Sequence, residues 1–245
     1  MTARPINPRP NKAPESMAWR MGRRFLRPRM AVASLCLIAV FAVLSFGAPL
    51  IETALGVDAG KTNLFGRFAP PSLAHPLGTD ELGRDLLVRL LYGGRVSLIV
   101  GLAAAAVAAI AGAIIGLLAG YYGGWPDSLL MRVTDGVIAL PLLPLLIVLA
   151  AVDLNKLGLP AAMTDSENVS LYRIVLIISL VGWTTVARLV RAETLTLKRR
   201  EFIRAAVAQG AGAGRIMRVH ILPNAMSPII VATTLSIGNI ILFES

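Results

Sequence analysis

One segment near the end of the chain has the residue types and spacing that most suggest a function. Residues 201–229 read EFIRAAVAQGAGAGRIMRVHILPNAMSPI and separate two strongly apolar stretches. Alanine and glycine let another surface approach closely, and Pro223 is expected to bend the chain where the apolar residues resume. These residue types favour the docking of a partner over a chemical reaction.

The side chains that most often carry catalysis or hold metals are sparse. The chain has two histidines, His75 and His220, one cysteine, Cys36, and neither an H-E-x-x-H nor a G-x-S-x-G motif. A lone cysteine excludes an intrachain disulfide and a cysteine-based metal site. We therefore predict that the chain is not an enzyme, with no catalytic residue and no metal site.

Two glycine-rich stretches resemble nucleotide-binding motifs but have the wrong spacing. GVDAGKT, at residues 56–62, has three residues between its glycines, where a phosphate-binding loop has four. QGAGAG, at 209–214, lacks the dinucleotide-binding spacing and follows no strand pattern. We predict that this chain binds no cofactor itself.

The first part of the segment, EFIRAAVAQ, predicts a short helix that Gly210 ends. Glu201 and Arg204 are three residues apart, which allows an ion pair. One face of the predicted helix carries Phe202, Ala205, Ala206 and Gln209. Such a face suits a groove on another protein, and a helix lying on lipid headgroups is the alternative.

Composition places these elements in a membrane. Of the 245 residues, 56% are hydrophobic and 16% charged, and the mean hydropathy is +0.70. Charge-free runs predict five transmembrane helices, at 30–51, 96–126, 136–152, 174–187 and 219–243. The fourth is short and crosses only if Arg173 and Arg188 reach the interfaces.

Basic residues predict the orientation. Eight Lys or Arg residues precede Met30 and eight lie between Arg188 and Arg218, so both segments should be cytoplasmic, with the loop 52–95 outside. The net charge of +10 follows this distribution and lacks the interleaved aromatic residues of a nucleic-acid surface. No nucleic-acid partner is predicted.

The chain divides into four predicted parts. Residues 1–29 form a basic, disordered cytoplasmic arm that membrane lipid attracts, and 30–51 form the first transmembrane helix. An external loop covers 52–95, and the remaining transmembrane domain covers 96–245, with a cytoplasmic loop at 188–222.

The external loop is expected to contain an amphipathic helix on the outer membrane surface, with Thr79 as its N-cap. We interpret this helix as a gate or brace and not as an acid cluster for catalysis. Its charged and turn residues are Asp80, Glu81, Gly83, Arg84 and Asp85.

A small-residue stripe marks the second predicted span, at Gly112, Gly116 and Gly120. This spacing predicts a face for close helix packing, in preference to a pore lining. At the cytoplasmic entry of the third predicted span, Arg132 and Asp135 have the spacing of an ion pair within one helix. Pro141 and Pro144 interrupt the span itself.

Residues 201–229, the docking segment, resemble the cytoplasmic loop of ABC-importer permeases. The pattern of that loop is E-A-A, three residues, Gly, nine residues, then I-x-L-P. The matching residues are Ala205, Ala206, Gly210, Leu222 and Pro223. His220 stands at the Ile position, as in the HILPN of the peptide-importer branch, and Arg204 stands where the first Glu is usual. Two further stretches, at 75–98 and 120–141, resemble the same branch.

This resemblance, to the second permease subunit of dipeptide, oligopeptide and nickel importers, implies an all-α, polytopic bundle of six transmembrane helices. Five are predicted here, so a sixth span is expected beyond Ser245. The resemblance also implies a bacterial inner membrane, a homologous second permease, two ATPase subunits that hold ATP and Mg²⁺, and an external solute-binding protein. The loop 188–222 would couple the ATPases to a peptide pathway.

Two other classes of protein stay open. A secondary transporter should show paired internal halves and ionisable residues near mid-membrane. A structural membrane protein accounts for the spans but not for the loop spacing.

Overall fold

A computed structural model describes residues 28–141, 144–145, 147–148 and 167–244. Two compact units divide the chain, Met1–Gly94 and Arg95–Ser245. Within the described ranges the secondary structure is helical with no strand, which confirms the all-α prediction for these residues. The α-helices are α1 Arg29–Phe46, α2 Ala48–Leu55, α3 Leu86–Tyr122, α4 Gly124–Ala139, α5 Glu167–Lys198, α6 Glu201–Ala208, α7 Ala213–Arg215 and α8 Leu222–Glu244.

Four stretches of described helix are long and apolar enough to cross a membrane: Arg29–Phe46, Leu86–Tyr122, Leu171–Lys198 and Ala213–Leu242. They correspond to the first, second, fourth and fifth predicted spans. Residues 142–143, 146 and 149–152 of the third, 136–152, lie outside the described residues, as does nearly all of the predicted arm 1–29. The count of five spans therefore stays a prediction. α4 does end before Pro141, because a residue that precedes proline is driven out of the helical conformation.

The first predicted span, 30–51, is wrong as a single helix. α1 ends at Phe46, and α2 begins after Gly47 with Pro49 in its first turn, where the missing proline N–H costs nothing. Close packing holds α1 in the first unit: a Cβ placed on Gly94 of α3 would lie 2.5 Å from a ring carbon of Phe41.

The prediction of an amphipathic helix that begins at Thr79 is also wrong. Residues 78–85 form a turn, with Thr79 and Asp85 paired as an isolated bridge, and α3 begins at Leu86 as a single helix of 37 residues. Asp85 is the N-cap, because its Oδ1 accepts a hydrogen bond from the Val88 N–H at 2.8 Å. The N-cap lies six residues later than predicted because Asp80 binds the turn's backbone instead of starting a helix.

The helix that contains the fourth predicted span, 174–187, extends beyond it at both ends and continues into the predicted loop 188–222. α5 continues to Lys198, so eleven residues assigned to the loop are helical. The helix tolerates Arg188 and Arg191 because Asp135 and Asp127 of α4 accept their hydrogen bonds. Asp135 thus pairs with Arg188 of α5 and not, as predicted, with Arg132 of its own helix.

The glycine stripe packs α3 against α5, as predicted. A Cβ placed on Gly112 would lie 2.6 Å from the carbonyl oxygen of Trp183, and one on Gly120 would lie 2.6 Å from Cβ of Thr194. Near the other end of the interface, the Ser179 hydroxyl lies 3.2 Å from the carbonyl oxygen of Ala104. Only residues without side chains allow the two backbones to come this close.

α8 leaves the docking segment without the predicted bend at Pro223. A π-helical segment, Ile216–Ile221, joins α7 to α8, and Leu222 has helical dihedral angles. Pro223 fits into the helix because it follows the π-helical turn, in which the regular i to i−4 hydrogen bonds are already replaced by i to i−5 bonds.

Candidate functional site

The predicted docking segment, residues 201–229, begins with a short helix, α6, which follows the long helix α5 and is connected to α8 through α7 and the π-helical segment. Beyond its end Gly210 has φ +83°, and the N–H groups of Gly210 and Ala211 donate to the carbonyl oxygens of Val207 and Ala206 at 2.9 and 3.0 Å. This pair of bonds is a Schellman motif, which requires a left-handed conformation at the glycine. The prediction that Gly210 ends the helix is confirmed.

Two side chains fasten α6 to the second unit. Ile203 and Ala206 are 2% and 9% exposed, and Ile203 belongs to a hydrophobic cluster with Leu197, Ile216 and Ile221. The prediction that Ala206 lies on the docking face is therefore wrong. Three residues from Ile203, Ala206 lies on the same side of the helix and turns inward with it.

The outward face of α6 is open to solvent. Its exposed residues are Glu201, Phe202, Arg204, Ala205, Val207 and Ala208. Ala205 and Ala208 have small side chains, so a groove on a partner could approach the backbone of α6 closely at these positions. Phe202 lies at the edge of this face. Among the ion pairs of the described residues, none joins Glu201 to Arg204, so the predicted pair does not form in this structure.

The end of the loop pattern serves as an anchor. Ile221 is fully buried between His220 and Leu222, which are half-buried, and Pro223 is exposed. The Asn224 side-chain amide donates to the carbonyl oxygen of His220 at 2.6 Å. These residues set how α8 leaves the cluster that holds α6, and they contribute little to its outward face.

Lys198, the last residue of α5, joins the end of that helix to α3 just before the docking segment begins. Its Nζ donates to the carbonyl oxygen of Tyr121 and lies 5.4 Å from the centroid of the Tyr121 ring. The cation meets both the negative end of a helix and an aromatic face, and each attracts it. The last residue of α5 is thereby joined to the end of α3.

Two ion pairs link α4 to α5. Arg191 donates through Nε and Nη2 to both carboxylate oxygens of Asp127, the second bond being 2.6 Å long, and the Asp127 side chain is mostly buried. Arg188 and Asp135 form a second, more exposed pair. Two parallel hydrogen bonds fix the orientation of the two side chains as well as their separation. The pair of Arg191 and Asp127 therefore sets the register between α4 and α5.

Basic side chains dominate the surface around α6. The exposed arginines between residues 199 and 218 are Arg199, Arg200, Arg204, Arg215 and Arg218. Glu201 is the single acid in this stretch. A partner that approaches this end of the bundle therefore meets a positive field.

The loop between α2 and α3 is organised around Asp80, which is buried. Its Oδ1 accepts the N–H groups of Leu82 and Arg84 at 2.8 and 2.9 Å, and its Oδ2 accepts Nε of Arg84 and Nη1 of Arg89. Desolvation raises the pKa of Asp80, but the two backbone N–H groups and the Arg84 guanidinium outweigh it, and the pKa falls to about 2. Asp80 therefore holds the turn as a carboxylate.

Gly83 and Asp85 complete this turn. Gly83 has φ +71°, and a Cβ there would lie 1.9 Å from the carbonyl oxygen of Asn63, so only glycine fits. Asp85 caps α3 through one oxygen and accepts Nδ1 of His75 at 2.9 Å through the other. Glu81 is exposed. The charged residues of the predicted amphipathic helix thus form a turn, and their role as a gate or brace stays a prediction.

A second carboxylate ties this loop to α2. Glu52 accepts the N–H of Ala59 at 2.8 Å through one oxygen and the Tyr92 hydroxyl at 2.5 Å through the other. No group of three or more His, Cys, Asp or Glu side chains positioned to hold a metal occurs in the ranges that the structure describes.

Sequence reasoning missed the contacts that join distant segments. Asp127 and Arg191 are 64 residues apart, and Lys198 and Tyr121 are 77 apart, so no local spacing relates them. One signal was present, since two arginines one helical turn apart at a span end require counter-charges, and Asp127 and Asp135 are acids of the preceding described helix.

Long apolar helices packed through a glycine stripe, with a capped helix exposed at one end, indicate a multi-pass helical membrane protein. Residues 112–245 match the profile of a family described as binding-protein-dependent transport system inner membrane component, and residues 16–71 match that of the N-terminal TM domain of oligopeptide transport permease C. The chain belongs to the family of binding-protein-dependent transport system inner membrane components.

Named relatives agree with this assignment. The dipeptide transport system permease protein DppC of Alkalihalophilus pseudofirmus is 38% identical over 244 residues, which cover 99% of this chain and 75% of the relative. The oligopeptide transport system permease protein OppC of Escherichia coli is 39% identical over 223 residues, 91% of this chain and 69% of the relative. OppC of Bacillus subtilis is 35% identical over 222 residues, which cover 91% of this chain and 67% of the relative.

Proposed function

We propose that this chain is one permease subunit of an ATP-driven peptide importer and forms half of its translocation pathway. Relatives named as dipeptide and oligopeptide transport permeases support peptides as the solute class. The proposal rests on the outward face of α6. This face has small side chains at Ala205 and Ala208, is exposed to solvent, and is held in place by a buried core. A rigidly mounted helix can transmit a partner's movement to the spans behind it.

The partners follow from the family. A homologous permease supplies the other half of the pathway, two ATPase subunits dock at α6 and hold ATP and Mg²⁺, and an external solute-binding protein delivers the peptide. This chain binds no nucleotide and performs no hydrolysis itself, in agreement with the broken spacing of its glycine-rich stretches. The charge distribution supports a cytoplasmic N-terminus and a cytoplasmic α6.

Single-cysteine labelling tests the orientation. In a Cys36→Ala background, a membrane-impermeant maleimide added to spheroplasts should label Ser72→Cys in the external loop and should leave Ala208→Cys unlabelled until the cells are opened. The reverse pattern would invert the topology and contradict docking of cytoplasmic ATPases at α6.

Ala205→Trp tests docking in the reconstituted complex. The large ring replaces a small exposed side chain, so the bundle should keep its thermal midpoint while peptide-stimulated ATP hydrolysis and peptide uptake both fall at least about tenfold, the equivalent of roughly 1.4 kcal/mol. Ala205→Ser, which stays small, is the matched control. Normal coupling in Ala205→Trp would refute docking at this face, and uptake that needs a proton gradient but no ATPase would favour a secondary transporter.

A further inference from the structure

We propose that Arg204 selects the ATPase that docks at α6, by pairing with a carboxylate in the docking groove of that ATPase. The inference rests on the proposed function and deepens it, because it names the chemistry that the partner must carry. Arg204 is exposed and lies midway along α6. It is a specificity-determining residue on an interaction surface and takes no part in catalysis.

Helix geometry puts Arg204 among the small residues of the outward face. Ile203 and Ala206 are buried and mark the opposite side of α6. Ala208 lies four residues after Arg204 and three after Ala205, and residues at these spacings are neighbours on a helix surface. A groove that closes over Ala205 and Ala208 therefore covers the guanidinium of Arg204 as well.

Arg204 has no acidic partner among the described residues. Glu201, three residues earlier, has the spacing of a partner, but no ion pair joins the two side chains. The carboxylate of Glu201 lies in the first turn of α6, where the helix N-terminus stabilises a negative charge. A guanidinium that a groove covers loses its hydration, which is unfavourable unless a carboxylate replaces the water. The groove must therefore supply the acid.

A protein groove fits this face better than lipid headgroups do. A helix that lies on a membrane buries its apolar side in lipid, but the inward side of α6 is already packed into a buried cluster through Ile203. The exposed apolar residues that remain, Phe202 and Val207, lie at the two edges of the outward face, with Arg204 between them. Aromatic and arginine side chains are enriched at protein interfaces. The composition of this face therefore favours a protein partner.

The other arginines exposed near α6 act at longer range. They share the lack of an ion pair among the described residues, and they are Arg199, Arg200, Arg215 and Arg218. A field of unpaired positive charges speeds the approach of an acidic surface and slows that of a basic one, and salt weakens the effect. These arginines thus favour the same acidic partner that Arg204 requires.

Binding of the ATPase pair tests this assignment. The permease pair is held in nanodiscs of phosphatidylcholine alone, and the association and dissociation rates of the ATPase pair are measured from about 0.05 to 0.5 M KCl. We expect Arg204→Glu to raise the dissociation rate at least about tenfold, because it places like charges together in the covered part of the interface. Arg215→Glu is the matched control, since it makes the same change of charge at an exposed position outside α6 and should lower mainly the association rate.

A compensating change in the ATPase identifies the acid. In a library in which each Asp and Glu of the ATPase is changed singly to Lys, one position should restore binding to Arg204→Glu and weaken binding to the unaltered chain. Arg204→Lys separates a lost charge from a folding defect, because it keeps the charge and should retain most of the affinity.

Docking at α6 and the role of Arg204 fail in different ways. If Ala205→Trp abolishes ATPase binding while Arg204→Glu binds as the unaltered chain does, docking stands and the role of Arg204 is refuted. If Ala205→Trp has no effect, the proposed function falls as well. A library without a compensating lysine, or equal dissociation rates in Arg204→Glu and Arg215→Glu, would also overturn the role of Arg204. So would a loss that appears only when phosphatidylglycerol replaces phosphatidylcholine, which would assign Arg204 to lipid.

Discussion

Gly116 of α3 lies so close to Ala187 of α5 that a Cβ placed on the glycine would be 2.5 Å from the alanine's carbonyl oxygen. The contact is with backbone, which cannot rotate away as a side chain can. The two helices are therefore held at a distance that any larger residue would increase, and neighbouring contacts at Gly112 and Gly120 would separate with it.

Gly116→Leu should separate α3 from α5 and lower the free energy of unfolding by about 1–3 kcal/mol, because an overpacked helix pair has no side chain that can yield. Thermal denaturation in detergent, followed by size-exclusion chromatography, measures the loss. Gly238→Ala in α8 is the control, since no heavy atom lies within 4 Å of its Cβ position. Equal midpoints for both variants would contradict the packing role.

Arg191→Gln should destabilise the bundle by about 1–2 kcal/mol, because it leaves the mostly buried carboxylate of Asp127 without its charged partner. Arg188→Gln, in the exposed pair with Asp135, should cost less than about 1 kcal/mol. A double-mutant cycle with Asp127→Asn measures the coupling between Arg191 and Asp127. Strict additivity would show that the two side chains do not interact in the membrane.

Gly210→Ala should loosen the end of α6 at a cost of about 1–2 kcal/mol, because alanine resists the left-handed conformation at φ +83°. Space is not the obstacle, since no atom lies within 4 Å of the added Cβ. Hydrogen exchange at the Gly210 and Ala211 amides should accelerate, and Gly214→Ala, which has an equally open position without a positive φ, should leave it unchanged. Unaltered exchange in Gly210→Ala would contradict the capping role.

The turn around Asp80 should resist acid until well below the ordinary range of a carboxyl group. Its pKa is lowered from 3.8 to about 2, so the stabilisation it gives is complete above about pH 4 and disappears as the pH falls through about 2. Pepsin, which works in this range, should cut the external loop faster as the pH drops from 4 to 2, relative to a denatured substrate. Asp80→Asn should be cut fast at every pH, and Glu81→Gln, which alters an exposed neighbour, should behave as wild type.

The sequence predicted those features that depend on neighbouring residues. Charge-free runs identified the four spans within the described residues, the spacing of Gly112, Gly116 and Gly120 identified the packing face, and Gly210 identified a helix end. Each of these rests on a local property, namely the cost of charge in lipid, the lack of a side chain, or freedom at positive φ.

The errors arose where a distant or competing partner decides the structure. Thr79 has a side chain that is common at an N-cap. The Asp80 carboxylate, however, binds the backbone of its own turn, so the helix begins later in the chain. Ala206 fitted the docking face by type, yet it is buried on the side of α6 from which Ile203 joins a core that includes residues of α5 and the π segment. The length of α5 depends on acids of α4 that are 53 and 64 residues away.

The position of those acids has a consequence for how the protein is made. Asp127 and Asp135 precede Arg188 and Arg191 in the chain, so a ribosome delivers the carboxylates to the membrane before the guanidinium groups. When α5 emerges, a helix that would be costly to insert alone finds its counter-charges already in place. We therefore expect α4 to favour the insertion of α5, and neutral residues at both acids should lower the share of newly made chains that insert α5 and escape proteolysis.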